Sequence, residues 1–277
     1  MQPHASSLGR PRADSGGPVR PRSDQDSGRW SPARLASKTA RSGRPSKGTT
    51  LITGANKGIG FETARQLTEA GYDVYLGARD VERGEKAAAE IGARFVQLDV
   101  TDDASVSAAL ATIEAAEGRL DVLVNNAGVL VADPLDDLTA LRVFDINAVG
   151  IVRVTEAALP LLRRSENPRV VNVSSSLGSF WANTTPDRVE HGMFLPLYAA
   201  SKAAATMLTV QYAKANTDIR FNAVEPGPTA TDMTAGFGIE DIAKSPAESA
   251  KTVVRLATLG LDVPTGTLQD KDGQLAW

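Results

Sequence analysis

The chain has 277 residues, enough for one large domain or two small ones. It has no Cys, which excludes a disulfide framework, a thiolate metal site and a thiol nucleophile, and only two His, which makes an imidazole metal site unexpected. Ten Lys and Arg against three Asp give residues 1–47 a charge of +7, so the remainder carries −10 of the net −3.

Residues 1–47 are rich in Arg, Ser, Pro and Gly, with Trp30 their one aromatic. Such a segment buries too little apolar surface to offset the entropy of ordering, so disorder is expected. It lacks the apolar core of a secretory signal, and Asp14, Asp24 and Asp26 count against a transit peptide. An Arg-rich arm could bind polyanions, but no periodic basic face is visible, and a passive extension is the favoured reading. The acidic remainder argues against a nucleic-acid partner. No apolar run reaches the ~20 residues of a membrane helix, so no membrane partner is expected and a cytoplasmic location is.

From residue 48 the pattern changes. Thr49–Thr53 reads as a strand that stops at Gly54. Gly54-Ala-Asn56-Lys57-Gly58-Ile59-Gly60 follows, then an amphipathic helix that Gly71 ends. Backbone N–H groups at a helix start can approach a pyrophosphate only where no Cβ intervenes, and the helix dipole favours the anion. The spacing Gly-x-x-x-Gly-x-Gly differs from the commonest dinucleotide fingerprint. Tyr72–Ala78 is the second strand, and Arg79 lies nineteen residues past Gly60. An acid at that tip suits a ribose hydroxyl, whereas Arg suits a 2′-phosphate. Arg79 and Lys57 together point to NADP(H), with Asp80 turned outward.

Val81–Ile91 is helical, Arg94–Leu98 a third strand closing at Asp99-Val100, and Asp102–Glu117 another helix. Leu120–Asn125 is an almost wholly apolar strand, as one buried on both faces should be, and it runs into Asn125-Asn126-Ala127-Gly128. Strands alternating with helices of this length imply a parallel sheet with right-handed crossovers. A long helical pattern over Leu138–Leu162 holds Asn147 at an unusual interior position, able to bond a distorted turn or a water, and Pro160 near its end. Arg169–Ser175 is a fifth strand. Leu177–Pro196 reads as irregular and apolar-speckled, with Phe180, Trp181, Met193 and Phe194 as candidate substrate contacts and His191 an exposed polar residue. The helix Leu197–Ala215 places Tyr198 and Lys202 one turn apart on one face. An ammonium beside a phenol lowers the phenol pKa from its ordinary ~10, which suits proton exchange with a carbonyl oxygen. Ile219–Val224 is a sixth strand that closes at Glu225-Pro226-Gly227-Pro228. A loop over Thr229–Ile242, a helix over Pro246–Leu259 and a last strand over Gly266–Asp270 complete the chain.

The order Thr53-Gly54-x-x-x-Gly58-x-Gly60, Asn125-Asn126-Ala127-Gly128, Asn147, Ser175, Tyr198-x-x-x-Lys202 and Pro226-Gly227 resembles the short-chain dehydrogenase/reductases over about residues 48–270. Asn56-Lys57, Ala78-Arg79-Asp80 and Gly273–Trp277 further resemble the NADPH-dependent carbonyl reductase branch. The resemblance implies a single Rossmann-type, doubly wound parallel sheet of about seven strands over residues 48–277. It implies hydride transfer between NADP(H) and a small-molecule carbonyl or secondary alcohol. Tyr198 would be the general acid, with Lys202 lowering its pKa and holding the nicotinamide ribose. Ser175, three residues before Gly178, would bind the substrate carbonyl in preference to Ser174 or Ser176, and Asn147 would hold a relay water. Gly54, Gly58, Ile59 and Gly60 would line the pyrophosphate turn, Asp99 and Val100 the adenine, and Asn126, Ala127 and Gly128 the riboses. Pro226, Gly227, Thr229 and Thr231 would meet the nicotinamide end. The 23 positions from Ser175 to Tyr198 exceed the family's usual gap, so the extra loop is expected over the substrate pocket and the oligomeric state is left open. A catalytically silent nucleotide-binding protein of the same fold is the alternative.

Overall fold

A computed structural model describes residues 46–239, 241–260 and 263–277. The expectation of disorder over residues 1–47 falls almost wholly outside them.

Eight strands form one sheet in the order β3-β2-β1-β4-β5-β6-β7-β8. They are β1 (Thr49–Ile52), β2 (Asp73–Ala78), β3 (Arg94–Gln97), β4 (Val122–Asn125), β5 (Arg169–Val173), β6 (Arg220–Val224), β7 (Thr267–Gln269) and β8 (Gln274–Leu275). The first seven pair in parallel, and β8 returns antiparallel on β7. The sheet is thus one strand larger than expected. β8 spans two residues, too few to show a period, and owes its place to the turn in which Asp270 Oδ1 accepts from the N–H groups of Asp272 and Gly273.

The crossovers are helices: α1 (Gly58–Glu69), α2 (Val81–Ile91), α3 (Asp103–Glu117), α4 (Asp137–Phe144), α5 (Gly150–Leu162), α6 (Phe180–Thr184), α7 (Pro196–Ala215) and α8 (Pro246–Thr258). Gly92 and Gly118 end α2 and α3 in left-handed conformation. Side chains of successive strand residues enter opposite layers. Leu51, Leu123 and Val170 pack with Ile113 of α3 and Leu162 of α5, while Ile52, Val124 and Val171 pack with Leu67 of α1 and Leu256 of α8. Two apolar cores, one on each face, hold the sheet rigid beneath the loops at its C-terminal edge.

The helical pattern over Leu138–Leu162 is not one α-helix. Asp145–Val149 between α4 and α5 forms a π-turn, with Asn147 buried in it. Pro160 sits inside α5, two residues from its end. The stretch Leu177–Pro196 is more ordered than expected. It holds α6 and 3₁₀ turns at Ser176–Gly178 and Val189–Gly192, because the side chains of Ser179 and Asn183 satisfy local backbone groups. Among the described residues, no helix is long and apolar enough to cross a membrane.

Candidate active site

β1 and β4 are neighbours, but the chain leaves them towards opposite flanks of the sheet. A crevice therefore opens at their C-terminal ends, the place where open α/β sheets bind ligands. A cavity of about 880 Å³ occupies it. Gly54 begins the turn out of β1 at φ +62°, and a Cβ there would stand 2.8 Å from the Cα of Ala127, so only glycine lets the two strand ends meet. The turn leads into α1, whose start has no side-chain cap. α2, α3, α4 and α8 are capped by Asp80, Asp102, Asp136 and Ser245. The first-turn residues of α1, Gly58 to Gly60, line the cavity wall instead. That arrangement fits a pyrophosphate, which would accept from their amides in place of a cap.

At one end of the cavity, β2 delivers Arg79 to the wall. Asp80 is not a ribose ligand: its side chain caps α2 by accepting from Arg83 N–H at 3.0 Å. Asp99 and Val100 also line the wall. Burial pushes the Asp99 carboxyl up, but hydrogen bonds from Thr101 and the charges of Arg79 and Arg153 hold it below its ordinary range. Lys57 lines the wall as well. Its ammonium pairs with Asp232 at 2.8 Å, across 175 positions, because the loop after β6 folds back to the start of α1. Both partners are well exposed, so solvent screens the pair and it holds the loop only weakly. Asn126 and Ala127 line the wall, yet the Asn126 amide is committed to the backbone. It donates to Thr53 O at 2.9 Å and Gly54 O at 3.0 Å, which leaves no amide hydrogen for a ribose.

At the other end, α7 and the turn after β5 meet. Gly178 makes the contact: a Cβ on it would lie 2.6 Å from Lys202 C and 2.7 Å from Ala203 N. Ser174 Oγ donates to Lys202 O at 3.0 Å across the same seam. The seam sets Lys202 Nζ to donate to Val173 O at 2.7 Å and to sit 5.6 Å from the Tyr198 ring centroid. Ser175 Oγ accepts from Leu177 N–H at 3.2 Å and lies near enough to the Tyr198 phenol and the Glu225 carboxyl to favour the ionised form of each. Ser174 and Ser176 form part of the cavity wall; Ser175 does not. Asn147 Oδ1 accepts from Val129 N–H and its Nδ2 donates to Val129 O, both at 2.8 Å, and to Ser201 Oγ at 2.9 Å. Its amide thus ties the π-turn to the loop after β4. A Cβ built on Gly128 would stand 3.3 Å from Asn147 Oδ1 and 3.5 Å from Lys202 Nζ, so the two groups flank one point.

The electrostatics reverse one expectation. Burial, then the Glu225 charge, push the Tyr198 phenol above its ordinary value, against the pull of its Ser175 hydrogen bond. Burial draws Lys202 down to about 8, opposed by Glu225. The ammonium lies over the flank of the ring and donates to a backbone carbonyl, so it does not offset the crowding of protein around the phenol.

The loop before α7 supplies Arg188, Met193 and Leu195 to the wall. Of the four apolar residues expected at the substrate, Met193 lines the cavity. Phe180 and Phe194 are 75% and 83% exposed, and Trp181 lies under the Arg188 guanidinium at 4.9 Å. His191 is exposed, with Nδ1 3.0 Å from Asn183 O. Pro226, Gly227, Thr229 and Thr231 line the wall beside Lys202. Sequence reasoning passed over Glu225 and Glu190. The signal for Glu225 was its position, an acid closing a buried strand directly before Pro226-Gly227.

The short chain dehydrogenase family model matches residues 48–240. The (−)-isopiperitenone reductase of Mentha piperita is 34% identical, over 82% of this chain and 97% of that protein. The (+)-neomenthol dehydrogenase of Arabidopsis thaliana is 33% identical, over 76% of this chain and 90% of its own. A crystal structure of NADPH-bound carbonyl reductase from chicken fatty liver matches with a TM-score of 0.74 at 26% identity, over 84% of this chain and all of that one.

Proposed function

The chain belongs to the short-chain dehydrogenase family, and on that premise we propose that Tyr198, Ser175, Lys202 and Asn147 carry its chemistry. The protein is an NADP-dependent oxidoreductase that acts on carbonyl or secondary alcohol carbons of small molecules. One observation carries the assignment of residues. Tyr198 and Lys202 line the cavity whose wall also holds the uncapped start of α1, and the Ser175 hydroxyl acts on the Tyr198 phenol.

The dinucleotide, when bound, supplies the hydride or takes it. The amides of Gly58, Ile59 and Gly60, beside Gly54, would hold its pyrophosphate. Arg79 would hold the 2′-phosphate, with Lys57 and Asn56 on the same wall to assist it. Asp99 and Val100 would hold the adenine, and Asn126, Ala127 and Gly128 the riboses. Pro226, Gly227, Thr229 and Thr231 border the nicotinamide end. In reduction Tyr198 gives its phenolic proton to the carbonyl oxygen. The raised pKa keeps that proton in place at neutral pH, and an alkoxide is a far stronger base than a phenolate, so the transfer runs downhill. Lys202 holds ribose hydroxyls, and Asn147 braces the turn beside it. Ser175 stabilises charge growing on the substrate oxygen. The working domain spans residues 48–277, and the cytoplasm is the compartment this reading assigns.

One set of assays tests the function and the cofactor together. NADPH oxidation across a panel of aldehydes and ketones is expected to outpace NADH oxidation. Arg79→Asp is expected to weaken NADPH by about 1.5–3 kcal/mol, roughly ten- to a hundredfold, and to leave NADH little changed. An unchanged ratio contradicts the 2′-phosphate contact. NADPH binding with no turnover on any carbonyl favours a silent nucleotide-binding protein instead.

A further inference from the structure

The loop before α7 carries a guanidinium that the chemistry described so far leaves unused. Arg188 Nε donates to Glu190 Oε2 at 3.0 Å and its Nη2 to Glu190 Oε1 at 2.8 Å, so the carboxylate grips one edge of the planar group. Trp181 covers a face, its ring centroid 4.9 Å from Arg188 Cζ. The backbone fixes all three residues. Arg188 N–H donates to Thr185 O at 3.1 Å, Met193 N–H to Glu190 O at 3.1 Å and Trp181 N–H to Trp277 O at 2.8 Å. Held by an edge and a face, the side chain has little freedom left to lose when a ligand meets it.

Counting hydrogens shows what it can still give. A guanidinium has five. Glu190 takes one from Nε and one from Nη2, and among the described residues nothing takes the pair on Nη1. In a planar fork, an edge bound through Nε and Nη2 leaves Nη1 directed away from the carboxylate. The Arg188 side chain is 30% exposed and that of Glu190 5%. Arg188 forms part of the cavity wall that also holds Tyr198, and Val189, Met193 and Leu195 of the same loop bring apolar surface to it. The charge of the pair is cancelled. Burial pushes the Glu190 carboxyl up, but the Arg188 hydrogen bonds hold it below its ordinary range, so it stays ionised against the guanidinium. Asp270 and Glu225 also act on Arg188. An anionic group would meet these acids as well as the guanidinium, whereas an uncharged oxygen meets the donor without that repulsion.

We propose that Arg188 is a specificity-determining residue whose Nη1 donates to a second, uncharged oxygen of the substrate. The preferred substrates are then apolar molecules that carry a carbonyl, ester or ether oxygen besides the carbonyl that Tyr198 protonates. The inference rests on the reductase reading given above and narrows its substrate class.

The test is kcat/KM for NADPH-driven reduction of diketones whose second carbonyl stands at successive positions on one apolar frame. Each is compared with the monoketone that has a methylene there and with a keto acid of similar length. The wild type is expected to prefer one diketone over its monoketone by roughly ten- to a hundredfold, the size of one hydrogen bond to a charged donor, and to prefer it over the keto acid. Arg188→Met combined with Glu190→Gln removes the pair together, which leaves no buried charge alone. Its diketone-to-monoketone ratio is expected near unity, whereas a merely structural role would lower both rates and keep the ratio. Glu190→Gln alone keeps the donors and unmasks the charge, so the keto acid is expected to gain on the diketone by about tenfold, the margin of a charged over a neutral hydrogen bond. NADPH binding and thermal melting show that each variant is folded. The inference is overturned if the folded double variant keeps the wild-type ratio, or if the wild type favours the keto acid. Should the double variant not fold, an unchanged keto acid-to-diketone ratio in Glu190→Gln overturns it. A wild type that reduces diketones and monoketones alike sinks this inference and leaves the reductase reading standing. A wild type that reduces none of them defeats both.

Discussion

Tyr198→Phe is expected to lower kcat by about 10²–10⁴-fold, the usual contribution of a positioned general acid. The substitution removes one oxygen and keeps the ring against Lys202. NADPH affinity, measured by fluorescence titration, is expected to stay near the wild-type value. The fold should hold too, because Tyr198 lines the cavity and is not part of the packed apolar cores. The loss of rate without loss of binding separates a proton donor from a packing residue. A variant that turns over like the wild type removes Tyr198 from the mechanism.

Gly178→Ala is expected to be the most damaging small substitution outside the chemistry. A Cβ there meets three backbone atoms of α7, at 2.6 Å from Lys202 C, 2.7 Å from Ala203 N and 2.8 Å from Lys202 O. Backbone cannot rotate away as a side chain can, so the turn after β5 and α7 must part. Overpacking of this kind costs about 1–3 kcal/mol, a fall in Tm of roughly 2–4 °C per kcal/mol at this size. The rate should drop further than stability does, because the same shift pulls Ser175 from Tyr198 and Lys202 Nζ from Val173 O. Gly192 is the control. It lies in the loop before α7, and a Cβ there meets nothing within 4 Å. Gly192→Ala should melt within about 0.5 kcal/mol of the wild type. Equal melting and turnover by both variants would show that the seam is looser than described.

Much of the fold was legible because the elements carry their own signals. The bounds of α2 coincide with those read from Val81–Ile91, where Asp80 caps one end and Gly92 stops the other. β1 through β7 fall within two residues of their expected ends, since apolar runs between glycine turns mark buried parallel strands. Asn147 stood out as a polar residue inside an apolar pattern, and it lies within a distorted turn, its side chain bonding Val129 of the loop after β4.

What was missed depends on contacts between distant residues. The pair Lys57–Asp232 joins positions 175 apart, and Glu225 reaches Ser176 across 49. No local period encodes either. The Tyr198 pKa failed for a related reason. The spacing showed a lysine one turn away, but burial and the charge of Glu225, which raise the phenol pKa, are not encoded in that spacing.

The most direct measurement follows the transferred hydrogen. The protein is given NADPH deuterated at the reactive carbon of the nicotinamide, together with a ketone from the panel, in ordinary water. The account expects one deuterium on the new carbinol carbon of each alcohol formed, and NADP⁺ in equal amount. An alcohol whose carbinol hydrogen comes from water, or a labelled cofactor that is bound and never consumed, contradicts it.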